Sequence, residues 1–193
     1  MTSAALRADS GRVLRLDGRR WVEPVTAADE RLLELVDGPV LDVGCGPARH
    51  VLALARQGVL TLGIDVSPPA LVLARRRGAP VLERSIFERV PAAGRWGTAL
   101  LLDGNLGIGG APAVLLRRVR ELLRPAGRLL VEVSGPGHGP GVERVRFEAD
   151  GVPGPWFWWA YVGADAVEGV ARDAGLRICR QWSDDGRWFA WLG

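Results

Sequence analysis

The 193-residue chain contains no lysine: all 25 of its basic residues are arginine, set against 22 acids for a net charge of +3. That absence excludes a phosphate-binding P-loop, which needs a lysine to reach the phosphates. So small an excess, carried only by guanidinium groups, does not of itself demand a polyanionic partner. The densest basic run, Arg75-Arg76-Arg77, ends a predicted helix, where cations offset the negative end of the dipole. Cysteine and histidine are equally scarce, with Cys45, Cys179, His50 and His138 far apart. Their spacing suits no zinc site, so no metal is expected and the thiols are read as free. No apolar run approaches the roughly 18 residues of a membrane span. Residues 1–12 lack the charged start and apolar stretch of a secretory signal, so a cytoplasmic location and no membrane partner are expected.

What is present is a regular alternation of strand and helix. Thr26 followed by Asp29 and Glu30 caps a helix predicted near 27–36. Strands are predicted at 39–43, 59–65, 79–83, 98–102 and 128–134, with helices at 48–57, from Pro68 to Gly78, and at 111–123. Short apolar strands at this interval imply a parallel sheet covered on both faces. Beyond Ser134 the pattern changes. A glycine- and proline-rich stretch leads to a predicted hairpin, 142–149 and 156–161, then a helix at 164–174 and strands at 176–182 and 187–192 around Asp184-Asp185-Gly186. Residues 1–25 show no clear periodicity. The length and the 48% hydrophobic content fit one domain.

The strand at 39–43 runs through Asp42 into Gly44-Cys45-Gly46, and the next one ends on Asp65. A glycine loop followed about 20 residues later by an acid also marks dinucleotide folds. Their third small residue, however, is here Arg49, whose long side chain argues against a dinucleotide. The stretch resembles the first motif of class I S-adenosylmethionine-dependent methyltransferases, D-x-G-x-G-x-G, filled by Asp42, Gly44, Gly46 and, in place of the last glycine, Ala48. Leu62 to Ser67 looks like that family's second strand with its ribose-binding acid, and Leu122 to Leu130 like its fifth strand and the turn before it.

The resemblance implies an α/β, Rossmann-like three-layer sandwich with a seven-stranded, mostly parallel sheet in the order 3-2-1-4-5-7-6, the last hairpin antiparallel. It would form a single domain over 1–193, with 1–37 as an N-terminal lid or helix segment and 135–162 as a hairpin insertion near the acceptor. The implied cofactor is S-adenosyl-L-methionine. Gly44, Cys45 and Gly46 would give backbone contacts, Asp42 would sit beneath them, and Asp65, beside Val66, would accept both ribose hydroxyls. Ser85, Ile86 and Phe87 stand where the family often has an adenine-binding acid, so the Ile86 backbone and packing on Ile86 and Phe87 are expected there, unless both are ordinary core.

Asp103 and Gly104 follow the fourth strand, where cofactor and acceptor would meet. Asp103 would either accept from the cofactor's ammonium or, as a catalytic base, take a proton from the acceptor; positioning is favoured, because a carboxylate beside a cationic cofactor should have a depressed pKa. His138 is either a general base near neutral pH or an exposed loop residue without a role. His50 is read as packing or surface. The aromatic run Trp156 to Tyr161 is read as core, acceptor wall or dimer contact.

The expected activity is methyl transfer to an O, N or C atom of a small molecule, with the protein a monomer or homodimer. A non-methylating cofactor-binding protein, or other chemistry on the same fold, is the alternative. The absence of an added nucleic-acid module and of an N-P-P-Y motif argues against a nucleic-acid partner.

Overall fold

A computed structural model describes residues 4–16, 18–137, 141–149 and 152–193. Along the chain come β1 (Ala4–Ala8), β2 (Val13–Leu16), α1 (Gly18–Val22), α2 (Ala27–Leu33), β3 (Val40–Val43), α3 (Arg49–Arg56), β4 (Thr61–Asp65), α4 (Pro68–Arg76) and β5 (Val81–Glu83). There follow β6 (Trp96–Leu101), α5 (Pro112–Leu122), β7 (Leu123–Val133), β8 (Gly141–Ala149), β9 (Val152–Tyr161), α6 (Val167–Asp173), β10 (Ile178–Asp184) and β11 (Arg187–Leu192).

The main sheet has seven strands in the order β10-β11-β7-β6-β3-β4-β5. Numbered within this sheet alone and read from β5, that is 3-2-1-4-5-7-6, as expected. The pairings from β7 to β5 are parallel, while β11 runs antiparallel to both β7 and β10. The tight turn before β11 forces this reversal, with Asp185 at φ +50° and Gly186 at φ +72°.

β3 and β6 are buried at every residue, which is why they read as unbroken apolar runs rather than alternating ones. On one face of the sheet Leu41, Val43, Leu101 and Val131 pack with Leu115, Leu116 and Val119 of α5 and Val167 and Ala171 of α6. On the other, Val40, Leu100, Leu102 and Phe189 meet Leu32 and Leu33 of α2 and Leu54 of α3. Each such fully buried aliphatic side chain contributes about 1.5–3 kcal/mol. α4 lies against α3 through Leu71, Ala74 and Val51.

A second, antiparallel sheet in the order β2-β1-β8-β9 is hydrogen-bonded separately from the first. The hairpin β8–β9 was legible, although β9 begins at Val152, inside the expected loop. β1, β2 and α1 were not, since residues 1–25 lack a pattern. Arg124 to Gly127, expected as a turn, fall inside β7 as a break in pairing: the partner of Trp96 is Leu123 and that of Thr98 is Arg128. Among the described residues no helix is long and apolar enough to cross a membrane.

Candidate functional site

The carboxyl ends of β3, β4, β5 and β6 meet at one edge of the main sheet, the position at which open α/β sheets bind ligands. After β3 the chain turns through Gly44 (φ +73°) and Gly46 (φ +53°), and Ala48 begins α3 at φ +68°. Ala48 thus bears, fully buried, the left-handed conformation that glycine adopts without strain. The loop's N–H groups are engaged internally: those of Gly44 and Cys45 donate to the Ile64 carbonyl, and that of Gly46 donates to Asp65 Oδ2 at 2.7 Å. Asp65 Oδ1 accepts from the Ser67 N–H at 2.8 Å. A carboxylate has about four acceptor sites, so both oxygens of Asp65 keep capacity toward the rim.

The carbonyls of Val43 and Gly44 converge on a single donor. Asn105 Nδ2 lies 2.9 Å from each. Space is tight here, since a Cβ on Gly44 would stand 2.6 Å from that nitrogen, whereas one on Gly46 would meet nothing within 4 Å. Beside the loop an open cleft of about 360 Å³ is lined by Val66, Glu83, Arg84, Ser85 and Glu88. Ser85 Oγ accepts from the Phe87 N–H. Phe87 is exposed and lies against Gly109, but Ile86 is 3% exposed within the main core, and its carbonyl accepts from Arg118. The side chain expected to pack on a ligand is therefore committed to the core, where its apolar area is better buried.

Asp42 is buried beneath the loop, and Oδ2 has no hydrogen-bond partner among the described residues. Burial, reinforced by Asp103 and Asp65 and opposed by His50 and Arg49, pushes its carboxyl up to about 6. Burial also pushes the Cys45 thiol well above its ordinary value, so this residue is a small filler rather than a nucleophile; its sulfur occupies the space that a Cβ on Gly63 would need.

After β6, Asp103 adopts φ +55° and Gly104 φ +83°. Burial alone would raise the Asp103 carboxyl, yet the opposing charges of His50, Arg49 and Arg20 hold it below the usual carboxylate range. Arg49 Nη2 lies 2.9 Å from both of its oxygens. Its backbone N–H donates to Glu132 Oε2 at 2.7 Å, and Arg187 grips Glu132 through Nε and Nη2 at 2.9 and 2.6 Å. Arg49 and Arg187 both reach Asp29, at 2.5 and 2.6 Å. His50, expected as packing or surface, is buried between two acids, with Nε2 3.3 Å from Asp29 and Nδ1 3.8 Å from Asp42.

The second sheet stands next to this edge. Ile108 bridges Trp159 of β9, and a Cβ added to Gly107 would come within 2.2 Å of the Ala160 carbonyl. From the N-terminal side, Arg20 of α1 reaches Asp103 at 3.4 Å and Trp21 stacks near Phe147 of β8. His138 lies outside the described residues. Among those residues no group of histidines, cysteines and acids is placed to hold a metal ion. Sequence reasoning missed Arg49, Glu132, Arg187 and Asp29 as the charge network behind Asp103; charged residues inside apolar stretches, such as Glu132 in Leu129 to Val133, were the available signal.

Residues 40–127 match the family model for a methyltransferase domain. The chain is 30% identical over 166 residues to a release factor glutamine methyltransferase of Rhodospirillum rubrum, an alignment covering 83% of this chain and 50% of that protein. It therefore spans about half the length of the curated relative it matches. Its fold is shared with an S-adenosylmethionine-dependent methyltransferase from Bacteroides fragilis in complex with S-adenosyl-L-homocysteine, with a TM-score of 0.84 and 22% identity over 99% of this chain and 87% of that one. The 1,6-didemethyltoxoflavin-N1-methyltransferase of Burkholderia thailandensis is similar at a TM-score of 0.65 and 20% identity, covering 91% and 81%.

Proposed function

We propose that this chain, in which residues 40–127 match the model for a methyltransferase domain and whose fold is that of solved methyltransferases, uses S-adenosyl-L-methionine to methylate a small molecule. The observation that carries this reading is Asp65, held at the end of β4 by the Gly46 and Ser67 N–H groups beside an open cleft. A carboxylate so placed can accept two vicinal hydroxyls. Val66 and Ser85 at the cleft, with Phe87 beside it, would flank the base.

The residues present fit the rest of the cofactor. The Val43 and Gly44 carbonyls, which accept from the Asn105 amide, would accept equally from an ammonium. The space above Gly46 leaves the loop open to a ligand. When bound, the cofactor supplies an electrophilic methyl group, and the protein's task is to align it with the acceptor. Asp103, ionised by its arginine neighbours, orients charge and is a poor proton acceptor.

The small-molecule reading rests on the second sheet. Trp159 over the 104–110 loop and Arg20 over Asp103 narrow the approach to the reacting edge. The name of the Burkholderia thailandensis neighbour points the same way; that of the release-factor relative points to a protein side chain.

Calorimetry with S-adenosylhomocysteine tests the cofactor assignment. Wild type binds, and Asp65→Ala weakens binding at least about tenfold, the loss of one charge-assisted pair of hydrogen bonds. Equal affinities would remove the ribose assignment. Incubation with methyl-labelled cofactor and a metabolite extract should then yield a product heavier by one methyl group.

A further inference from the structure

Asp29 lies on α2, outside the sheet edge that forms the candidate site, yet it is fully buried and its carboxylate is surrounded by donors. Oδ2 accepts from Arg49 Nη1, from the Thr26 N–H and from the Thr26 hydroxyl; Oδ1 accepts from Arg187 and lies near His50. Burial alone would raise its pKa, but hydrogen bonds from His50, Arg187 and Thr26 outweigh that and keep it ionised. A saturated buried carboxylate of this kind is expensive to build and has no need to exist for stability alone.

Its two arginines end at the same residue by separate routes. One arm runs from Asp29 through Arg49 to both carboxylate oxygens of Asp103, at 2.9 Å each. The other runs from Asp29 through Arg187 to Glu132, whose Oε2 takes the Asp103 backbone N–H at 2.7 Å. Asp103 is thus held at its side chain through the first arm and at its main chain through the second, with Arg187 Nη2 also 3.7 Å from its Oδ1. This matters because Asp103 holds a left-handed backbone at φ +55°, a strained conformation for a non-glycine residue that persists only where the surroundings over-determine it.

We infer that Asp29 is a positioning residue for the cofactor and acceptor site, acting on Asp103 through both arms. The inference rests on the cofactor reading above and adds to it the group that sets the aim of Asp103. His50 lies between Asp29 and Asp42, Nε2 3.3 Å from the first and Nδ1 3.8 Å from the second.

A double-mutant cycle tests it, with S-adenosylhomocysteine affinity by calorimetry and melting temperature measured together on the full chain. Asp29→Asn and Asp103→Asn each weaken affinity about tenfold. The double variant binds no more weakly than Asp103→Asn alone, although Asp29→Asn still lowers the melting temperature in that background. Such non-additivity is the mark of residues acting through one another. Glu132→Gln preserves volume and weakens the second arm only; it follows the same pattern at about threefold and carries the test if Asp29→Asn does not fold. Affinity unchanged in Asp29→Asn, or lowered equally in both backgrounds, overturns the inference while leaving the cofactor reading intact. Wild type that does not bind at all overturns the cofactor reading and this inference with it.

Discussion

The side-chain amide of Asn105 fills the space that a Cβ on Gly44 would need, its nitrogen 2.6 Å from that position and 2.9 Å from the Gly44 carbonyl oxygen. The glycine loop and the loop after β6 are thereby locked to each other. Gly44→Ala must displace the amide and place a side chain at φ +73°, so we expect destabilisation of about 2 kcal/mol or more. Denaturant unfolding of Gly44→Ala checks this, and a loss under about 0.5 kcal/mol would show that the amide yields freely.

Asn105→Ala leaves the Val43 and Gly44 carbonyls without their donor. The expected stability loss is about 1–3 kcal/mol. If an ammonium group takes over the same two carbonyls, bound S-adenosylhomocysteine restores part of that loss, and the ligand-induced rise in melting temperature is larger for the variant than for wild type. An equal or smaller rise would separate the carbonyl pair from the ligand.

Asp42 gives stability a definite pH dependence. Its folded-state pKa is raised from 3.8 to about 6 by burial, so the folded protein holds a proton that the unfolded chain has released. That contribution is present in full below about pH 4 and is lost as pH rises through about 6. Relative to Asp42→Asn, wild type should lose on the order of 3 kcal/mol between pH 4 and pH 7. Urea titrations at these pH values measure the difference directly, and a constant gap would rule out the raised pKa.

Asp103 has the opposite sign. Its depressed pKa means a contribution present above about pH 4 and lost as pH falls, because the unfolded carboxyl protonates first. Wild type should therefore lose stability relative to Asp103→Asn between about pH 5 and pH 2, seen as a steeper acid limb in thermal melts. Parallel limbs would contradict it.

Gly107→Ala probes the second sheet, since its Cβ would meet the Ala160 carbonyl at 2.2 Å and the Trp159 ring at 2.8 Å. Pushing β9 off the loop should raise KM for the acceptor several-fold, with S-adenosylhomocysteine affinity within about twofold of wild type. Loss of both together would mean that the sheet supports the cofactor side as well.

The main sheet could be read from the chain because β3, β4 and β6 are locally self-declaring: short apolar runs ending on acids or glycines. Of the outer sheet only the β8–β9 hairpin could. β1 is five residues of mixed character, and its pairing with β8 joins Ala4 to Ala149 and Ala8 to Val145, a relation no local pattern announces. The charge network escaped for a different reason. Arg49, Arg187 and Glu132 belong to residue types that usually face water, and only their mutual contacts make burial tolerable. The capping box of Thr26 and Asp29 was visible as a helix start, but that Asp29 also gathers two arginines depends on α3 and β11 arriving beside it.

The outer sheet is assembled from two stretches far apart in the polypeptide, with residues 4–16 closing one side of β8 and β9 the other. Neither part is a transplantable cassette. A chimera that imported only the 141–161 hairpin would carry an unpaired β8 margin open to stray association, so any exchange of this canopy between homologues has to move the two stretches as a matched pair.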